Sequence, residues 1–198
     1  LYGIPGCGKS SVIMLLAKTL MDKYGGIVFM PQDINQIRWL MILIPMVKDI
    51  EPNKRIIVVL EDIDGHVNDN SESQTILLNF LDGASCQNGV VTIATTNYPE
   101  KLQERITNRP SRFDRRYEVG KPNAEVRAFY IKSKLSAGGE SIDEPELKEI
   151  VRLTEGFTID HIKEYVLSRY VLGYTHEEAF TEVSSISNAV LKNTKDGN

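Results

Sequence analysis

The chain has few cysteines, and it has no long apolar run. Its 198 residues include two cysteines, Cys7 and Cys86. Two are far too few for a disulfide scaffold, which predicts a cytoplasmic location or a matrix-like reducing compartment. No apolar run, that from Leu40 to Ile44 included, is long enough to span a bilayer, and no secretory signal is visible at the start. No membrane contact is therefore visible in this segment, while an upstream targeting or anchor segment stays open.

Positive charge is not in excess either. The chain carries 23 basic and 27 acidic residues, a net charge of −4. It therefore lacks the domain-wide basic surface of proteins whose main partner is duplex DNA, although a local basic patch stays open. The three histidines, His66, His161 and His176, have no cysteine or histidine partners at metal-ligand spacing. The remaining composition, 41% hydrophobic and 25% charged, predicts a packed globular fold.

Strand and helix patterns alternate through the first 120 residues. Helix-periodic segments alternate with short β-branched runs: helices at 9–23, 33–48 and 74–82, strands at 27–30, 55–60 and 90–94. This order predicts an α/β fold, a doubly wound parallel sheet in three layers with helices on both faces. Pro45 is expected to kink or end the second helix. In such a sheet, ligands bind at the carboxyl ends of the strands.

Beyond residue 120 only helical patterns remain, and glycines separate them. The predicted helices cover 124–136, 144–155, 158–172 and 175–192. We therefore expect a P-loop α/β domain at 1–120 and a small all-helical domain at 121–198. The glycine-rich loop begins at Gly3, so only Leu1 and Tyr2 would represent the strand that normally feeds such a loop. This predicts a first strand truncated at the N-terminus, in an excerpt of a longer chain.

The segment Gly3-Ile-Pro-Gly-Cys-Gly-Lys-Ser10 matches the pattern G-x-x-x-x-G-K-[ST] of a phosphate-binding loop. Glycines let backbone N–H groups converge on phosphate oxygens, and the following helix presents its positive end. Lys9 should reach the β- and γ-phosphates, and the Ser10 hydroxyl should ligate Mg²⁺. A glycine-rich turn that happens to precede a lysine is the alternative. The predicted nucleotide-binding residues are Gly3, Ile4, Pro5, Gly6, Cys7, Gly8, Lys9, Ser10 and Ser11.

The apolar run 56–60 ends in the acidic segment Glu61-Asp-Ile-Asp64. A buried strand that delivers carboxylates beside bound phosphates can hold Mg²⁺ through one of them and orient the attacking water with its neighbour. The common order is Asp then Glu, so by alignment Glu61 is the metal-side residue and Asp62 the base. Asp62 is one methylene shorter than the usual base, and the reverse assignment stays open. Acidic residues that merely cap the following turn are the alternative.

Two further motifs place polar groups near the same strand ends. Asn97 ends the run Thr92-Ile-Ala-Thr-Thr-Asn97, where its amide would lie near the γ-phosphate and the attacking water; on its own it would be a turn residue. Arg109 and Arg112 lie three apart in R-P-S-R-F-D. A guanidinium suits stabilising charge on a transferring phosphoryl group and can come from a neighbouring subunit. A solvated charged face is the alternative.

Together the stretches G-I-P-G-C-G-K-S, V-V-L-E-D-I-D, A-T-T-N-Y-P-E-K-L and R-P-S-R-F-D-R resemble the motifs of the AAA ATPase family, over the whole chain. The resemblance implies Mg²⁺-dependent ATP hydrolysis by a homo-oligomeric ring, a hexamer or heptamer. It also implies that Asn97 is the sensor 1 residue, that Arg109 and Arg112 are arginine fingers, and that the helical domain is a lid over the nucleotide. The E-D-I-D order and L-L-N-F-L-D-G at 77–83 are most similar to the branch with the mitochondrial chaperone that translocates the Rieske protein and with related bacterial and phage ATPases.

The macromolecule on which the ATPase acts is predicted less directly than the ATP chemistry. Protein remodelling or translocation is the leading interpretation, with a protein substrate favoured over nucleic acid, and a DNA-replication loader or DNA-tracking motor is the alternative. No aromatic-hydrophobic-glycine pore loop is visible between residues 31 and 55, and Trp39 is expected to be a packing residue. The spacing from Asn97 to Arg109 is one residue longer than usual in the family, so which arginine is the primary finger stays open.

Overall fold

The computed structural model describes residues 1–68, 71–84, 87–102 and 112–193. The chain divides into two compact units. The first contains Leu1–Ile4 and Lys9–Val119, and the second contains Pro5–Gly8 and Gly120–Asn198. The first is an α/β unit and the second is helical. Four residues of the glycine-rich loop are thus grouped with the helical unit.

The first unit is built on a parallel sheet of three strands. These are β1 (Ile27–Phe29), β2 (Ile56–Leu60) and β3 (Val90–Ala94), in the order β1-β2-β3. Ile27 lies opposite Ile56, which in turn lies opposite Val90. Four helices accompany them, α1 (Lys9–Tyr24), α2 (Ile34–Ile50), α3 (Ile63–Asn68) and α4 (Ser71–Ala84). The predicted α/β fold with a parallel sheet followed by C-terminal helices is confirmed.

Every residue of β2 is buried, and its side chains alternate between two cores. On one face Ile56, Val58 and Leu60 pack with residues of α2 and α4, including Ile37 and Phe80. On the other face Ile57 and Val59 pack with residues of α1, namely Ile13 and Ala17. A strand that is apolar on both faces needs cover on both, which is why its sequence is continuously apolar rather than alternating. Helices on both faces make this unit three-layered.

The segment Leu1–Gly3 extends the pairing beyond β3. Tyr2 forms parallel bridges to Thr96 on one side and to Glu118 on the other. The Gly3 amide donates to the Thr96 carbonyl at 3.3 Å, and the Val119 amide donates to the Tyr2 carbonyl at 2.8 Å. Gly3 has a φ of 151°, and a Cβ there would lie 2.3 Å from the Val119 carbonyl oxygen. Only glycine fits where the chain leaves this pairing and enters the loop.

Helix α2 differs from its prediction in two ways. Of the two predicted effects of Pro45, an end of the helix does not occur: α2 continues past the predicted residue 48 to Ile50, since Ile44 and Val47 on either side of the proline pack into the core and hold both halves. Packing there outweighs the one backbone hydrogen bond that a proline removes. Trp39 is not a packing residue within the described chain, because it is 69% exposed. It lies on a second apolar stripe of the helix, formed by Trp39, Ile42, Leu43, Met46 and Ile50.

The second unit contains four α-helices. They are α5 (Ala124–Ala137), α6 (Glu144–Leu153), α7 (Ile159–Val166) and α8 (His176–Asn193). The helix predicted over 158–172 is α-helical only to Val166, and a π-helical turn, Leu167–Val171, follows it. A buried apolar core joins the helices, with Ile131, Ile150, Ile162 and Val183 fully buried. Among the described helices of the chain, none is long and apolar enough to cross a membrane.

Arg127 is a charged residue buried in the second unit, with 7% of its surface exposed. Its Nη1 donates to the Pro122 carbonyl at 2.9 Å, and its Nη2 donates to the Val151 carbonyl at 3.0 Å. These carbonyls precede α5 and lie near the end of α6. The planar guanidinium therefore ties the start of one helix to the last turn of the next, a geometry that one ammonium cannot reproduce.

Arg127→Lys should lower the free energy of unfolding by about 1–3 kcal/mol, because one of the two buried carbonyl contacts is lost. Arg152→Lys is the matched control. Arg152 is also in this unit, but its side chain is 69% exposed and pairs with Glu149 on the surface, so the change should stay below about 0.5 kcal/mol. Urea unfolding followed by circular dichroism measures both. Equal losses in the two variants would contradict the role given to Arg127.

Candidate functional site

Lys9 is the first residue of α1, and it is 6% exposed. Its Nζ donates to the carbonyl oxygens of Gly3 and Ile4 at 2.8 and 3.1 Å, and to Oδ1 of Asn97 at 2.5 Å. An ammonium has three N–H donors, so all three are used. The lysine side chain therefore folds back onto the first residues of its own loop, and each of its N–H groups has an oxygen acceptor.

Asn97 joins Lys9 to Asp62. Its Nδ2 donates to Oδ1 of Asp62 at 3.0 Å, while its Oδ1 accepts from Lys9. Only one orientation of the amide satisfies both neighbours, because an ammonium can only donate and a carboxylate can only accept. The structure therefore brings three residues predicted from three separate motifs into one hydrogen-bonded chain, at the carboxyl ends of β2 and β3.

The backbone of Asp62 adopts an unusual conformation. Its φ is 46°, which makes it the one residue other than glycine with a positive φ in the described part of the chain. Its amide donates to Oγ1 of Thr95 at 2.9 Å, and the next amide, of Ile63, donates to the Thr95 carbonyl at 2.9 Å. Aspartate tolerates the left-handed region better than most residues. This turn projects the exposed Asp62 carboxylate away from the buried end of β2.

Asp64 and Thr96 form a second, buried contact beneath that turn. Thr96 Oγ1 donates to Asp64 Oδ1 at 2.5 Å and accepts from the Tyr98 amide at 3.0 Å. Asp64 is 9% exposed and Thr96 5%. Motif spacing predicts no role for Thr95, Thr96 or Asp64. The available signal was the pair of hydroxyl residues at the end of a strand beside a carboxylate-bearing turn.

Gly6 of the loop contacts residues of the second unit, to which it belongs. The Asp160 amide donates to the Gly6 carbonyl at 3.1 Å. Gly6 has a φ of 79°, and a Cβ there would lie 2.9 Å from Oγ1 of Thr158 and 3.1 Å from Oδ2 of Asp160. Thr158 caps α7 in a reciprocal arrangement with His161. Burial, then the charge of Lys121, lowers the pKa of His161, which favours the neutral ring that accepts from the Thr158 amide at 3.3 Å.

The remaining predicted binding residues differ in exposure. Ile4, Pro5, Ser10 and Ser11 are exposed, Glu61 is half-buried and Cys7 is buried. Ser10 and Ser11 lie in the first turn of α1, where the backbone amides have no helical acceptors and the helix dipole is positive. Hydroxyls, free amides and a carboxylate of this kind suit a phosphorylated ligand with its cation.

The two predicted arginine fingers differ in what the structure describes. Arg109 lies outside the described residues. Arg112 is paired within its own chain, since its Nε and Nη2 donate to the two carboxylate oxygens of Asp82 on α4 at 2.7 and 2.8 Å. The Arg112 side chain is 5% exposed and that of Asp82 36%. The bidentate pair fixes the guanidinium plane of Arg112 against α4.

Residues 1–121, more than half of the chain, match the family described as "ATPase family associated with various cellular activities (AAA)". The chain is a member of the AAA family. Its module is accordingly an ATP-binding ATPase, as the loop around Lys9 predicts. The matched region includes the loop, both carboxylates, Asn97 and both arginines.

Several relatives support the same assignment. The chain is 28% identical to the ATP-dependent zinc metalloprotease FtsH of Aster yellows witches'-broom phytoplasma, over 96% of this chain and 29% of that protein. It is 30% identical to FtsH 2 of a Thermoanaerobacter species over 81% of this chain and 33% of the relative. It is 25% identical to the probable 26S proteasome regulatory subunit 10B of Caenorhabditis elegans, over 97% of this chain and 50% of that protein. The chain thus spans half or less of these relatives.

The tight packing of Gly6 makes the loop sensitive to one added methyl group. Gly6→Ala should reduce the free energy of unfolding by more than Gly25→Ala does. Both glycines have positive φ values, 79° and 65°, but a Cβ at Gly25 meets nothing within 4 Å. The control therefore measures backbone strain alone, about 1–2 kcal/mol, and the excess at Gly6 measures displacement of Thr158 and Asp160. Chemical unfolding measures the free energy of unfolding of both variants. Equal reductions in the two would show that the loop does not depend on this contact.

Proposed function

We propose that this AAA chain is the Mg²⁺-dependent ATP-hydrolysing module of a homo-oligomeric ring that remodels or translocates proteins. The observation that carries the proposal is the hydrogen-bonded chain Lys9–Asn97–Asp62. It places a cation for phosphate, a neutral amide and a carboxylate in series at the edge of the sheet. These three groups suit phosphoryl transfer, because its catalysis depends on positioning and charge stabilisation rather than on covalent chemistry by the protein.

Nucleotide binding would exchange the acceptors of Lys9. Two of its three acceptors are neutral backbone carbonyls, whereas a β- or γ-phosphate oxygen is anionic and forms a stronger, charge-assisted bond. The free amides at the start of α1 add to this preference. Replacement of these acceptors by phosphate would also leave the Asn97 oxygen available to the γ-phosphate region, while its Nδ2 stays on Asp62.

Hydrolysis would then use Asp62 as the base. A water oxygen attacks the γ-phosphorus as the bond from that phosphorus to the bridging oxygen of ADP breaks, and the water proton passes to the Asp62 carboxylate. Mg²⁺ prefers oxygen ligands and shares them with phosphates, a requirement that the exposed Ser10 hydroxyl and the half-buried Glu61 carboxylate fit. When bound, the ion would offset the negative charge of the β- and γ-phosphates.

Two isosteric substitutions test these roles. Asp62→Asn should retain ATP binding and lower kcat by about 10²–10⁴-fold, because the amide cannot accept the proton. Glu61→Gln should weaken binding that depends on Mg²⁺. Lys9→Ala is the control that should lose ATP binding altogether. Equilibrium binding of a fluorescent ATP analogue and phosphate release measure these effects. If Glu61→Gln binds ATP without turnover and Asp62→Asn hydrolyses it, the two roles are reversed.

For the arginines, we propose that Arg109 of one subunit stabilises the transition state at the site of its neighbour. The supporting observation is that Arg112 is held by Asp82 in its own chain. The chain from Arg112 back to Arg109 is three residues, so it spans at most about 11 Å when extended. Arg112 would therefore act as an anchor that limits the positions open to Arg109.

Arg109→Ala should lower kcat about 10³-fold or more with unchanged stability and ATP binding. Arg112→Ala should lower kcat and also destabilise the fold, because Asp82 loses a bidentate partner. Rings mixed from Arg109→Ala and Lys9→Ala subunits should regain ATPase activity, since some interfaces then pair an intact loop with an intact Arg109. No recovery in covalently linked heterodimers that carry one such interface would contradict action between subunits.

The relatives suggest which class of macromolecule is the substrate. The matched relatives include an ATP-dependent zinc metalloprotease and a proteasome regulatory subunit, and the net charge of −4 does not favour a nucleic-acid load. We further propose that the chain is allied with the branch containing the Rieske-translocating chaperone. The Glu61-Asp62 order and the sequence at 77–83 support that placement. The similarity to the matched relatives and the proposed alliance with this branch both favour a protein substrate.

A further inference from the structure

Thr95 is the residue on which the turn after β2 is fixed, and it is 2% exposed. Its amide donates to the Leu60 carbonyl, its carbonyl accepts from the Ile63 amide, and its Oγ1 accepts from the Asp62 amide, all at 2.9 Å. The first two contacts use the backbone, and any residue could make them. The third requires a side-chain acceptor at this position.

We propose that Thr95 is a positioning residue for hydrolysis, acting through the backbone of Asp62. The inference rests on the proposed role of Asp62 as the base. Asp62 has a φ of 46°, a conformation that costs energy for any residue with a side chain and persists only where its surroundings enforce it. The hydroxyl of Thr95 supplies one such contact at the strained residue itself, because it accepts the amide hydrogen that the turn directs towards β3.

The length of the aspartate side chain makes this contact matter. A glutamate can adjust its reach through an extra torsion, whereas the position of an aspartate carboxylate follows its backbone closely. The carboxylate of Asp62 meets Nδ2 of Asn97 at 3.0 Å, so a small rotation of the turn would change that contact. A displacement of about 1 Å at a reacting group can lower a rate about 10²-fold.

Thr95→Val should therefore lower kcat about 10–100-fold and leave the Kd for ATP within about twofold. Valine preserves the shape and removes the hydroxyl, so the part-buried hydrogen bond of the Asp62 amide is lost. Thr95→Ser restores an acceptor and should recover most of kcat. Thr95→Ala removes the same acceptor with less buried bulk, and it substitutes for Thr95→Val if valine prevents folding. Phosphate release, binding of a fluorescent ATP analogue and thermal unfolding are measured on each variant.

Thr154→Val is the matched control. Thr154 is fully buried in the second unit, where its hydroxyl donates to the Ile150 carbonyl at 2.8 Å. The chemical change is the same as at Thr95, but no part of it touches the hydrolytic residues. Any loss should appear in the unfolding temperature and not in kcat. A fall in kcat at Thr154→Val equal to that at Thr95→Val would mean that general destabilisation explains both.

A double-mutant cycle separates this inference from the proposed function. If Thr95 acts only through Asp62, then Thr95→Val should not further lower the residual rate of Asp62→Asn. An equal fall in both backgrounds overturns the inference. The inference is also overturned if Thr95→Val and Thr95→Ala both keep the kcat of the wild type while Asp62→Asn is inactive. If the wild type hydrolyses ATP and Asp62→Asn matches it, the assigned base is wrong, and the role of Thr95 falls with it.

Discussion

The parallel pairing of β2 with β3 is the constraint on which the site depends. Leu60 lies opposite Ala94, so both strands end at the same level. The residues that follow them, 61–64 and 95–97, must then lie side by side, and their polar groups satisfy one another there. A slip of one residue would turn every side chain of β2 to the opposite face of the sheet, so the packing of the two cores protects the register that the site needs.

Within that frame, a neutral amide separates a cation from an anion. A direct ion pair between Lys9 and Asp62 would be strong in a partly buried setting, and phosphate would have to compete with a full negative charge. Asn97 instead gives Lys9 an uncharged oxygen and gives Asp62 an N–H donor. The lysine keeps a satisfied hydrogen-bond shell without losing its preference for an anion, and the carboxylate keeps a fixed direction.

Sequence patterns predicted the charged residues that the structure brings together better than the residues that hold them in place. Lys9 and Asp62 follow from motif spacing, because each motif reflects a local chemical need at the end of a strand. Thr95 could not be found in this way, since its contact with the Asp62 amide depends on the conformation of a turn thirty-three residues earlier in the chain. The extent of α2 beyond Pro45 and the exposure of Trp39 depend on tertiary packing, which local propensity does not report. The pairing of Arg112 with Asp82 is likewise a long-range contact.

The reversed order of the two carboxylates and the hydroxyl of Thr95 have a common physical basis. A longer base can reach its water from a relaxed backbone, because its own torsions supply the reach. Asp62 has one torsion fewer, so its reach must come from the turn, and the turn takes a left-handed conformation. The energy of that conformation is offset by hydrogen bonds to Thr95. If Asp62 is the base, as we propose, its placement in this chain depends on backbone conformation rather than on side-chain length, and Thr95 would then belong to the hydrolytic site.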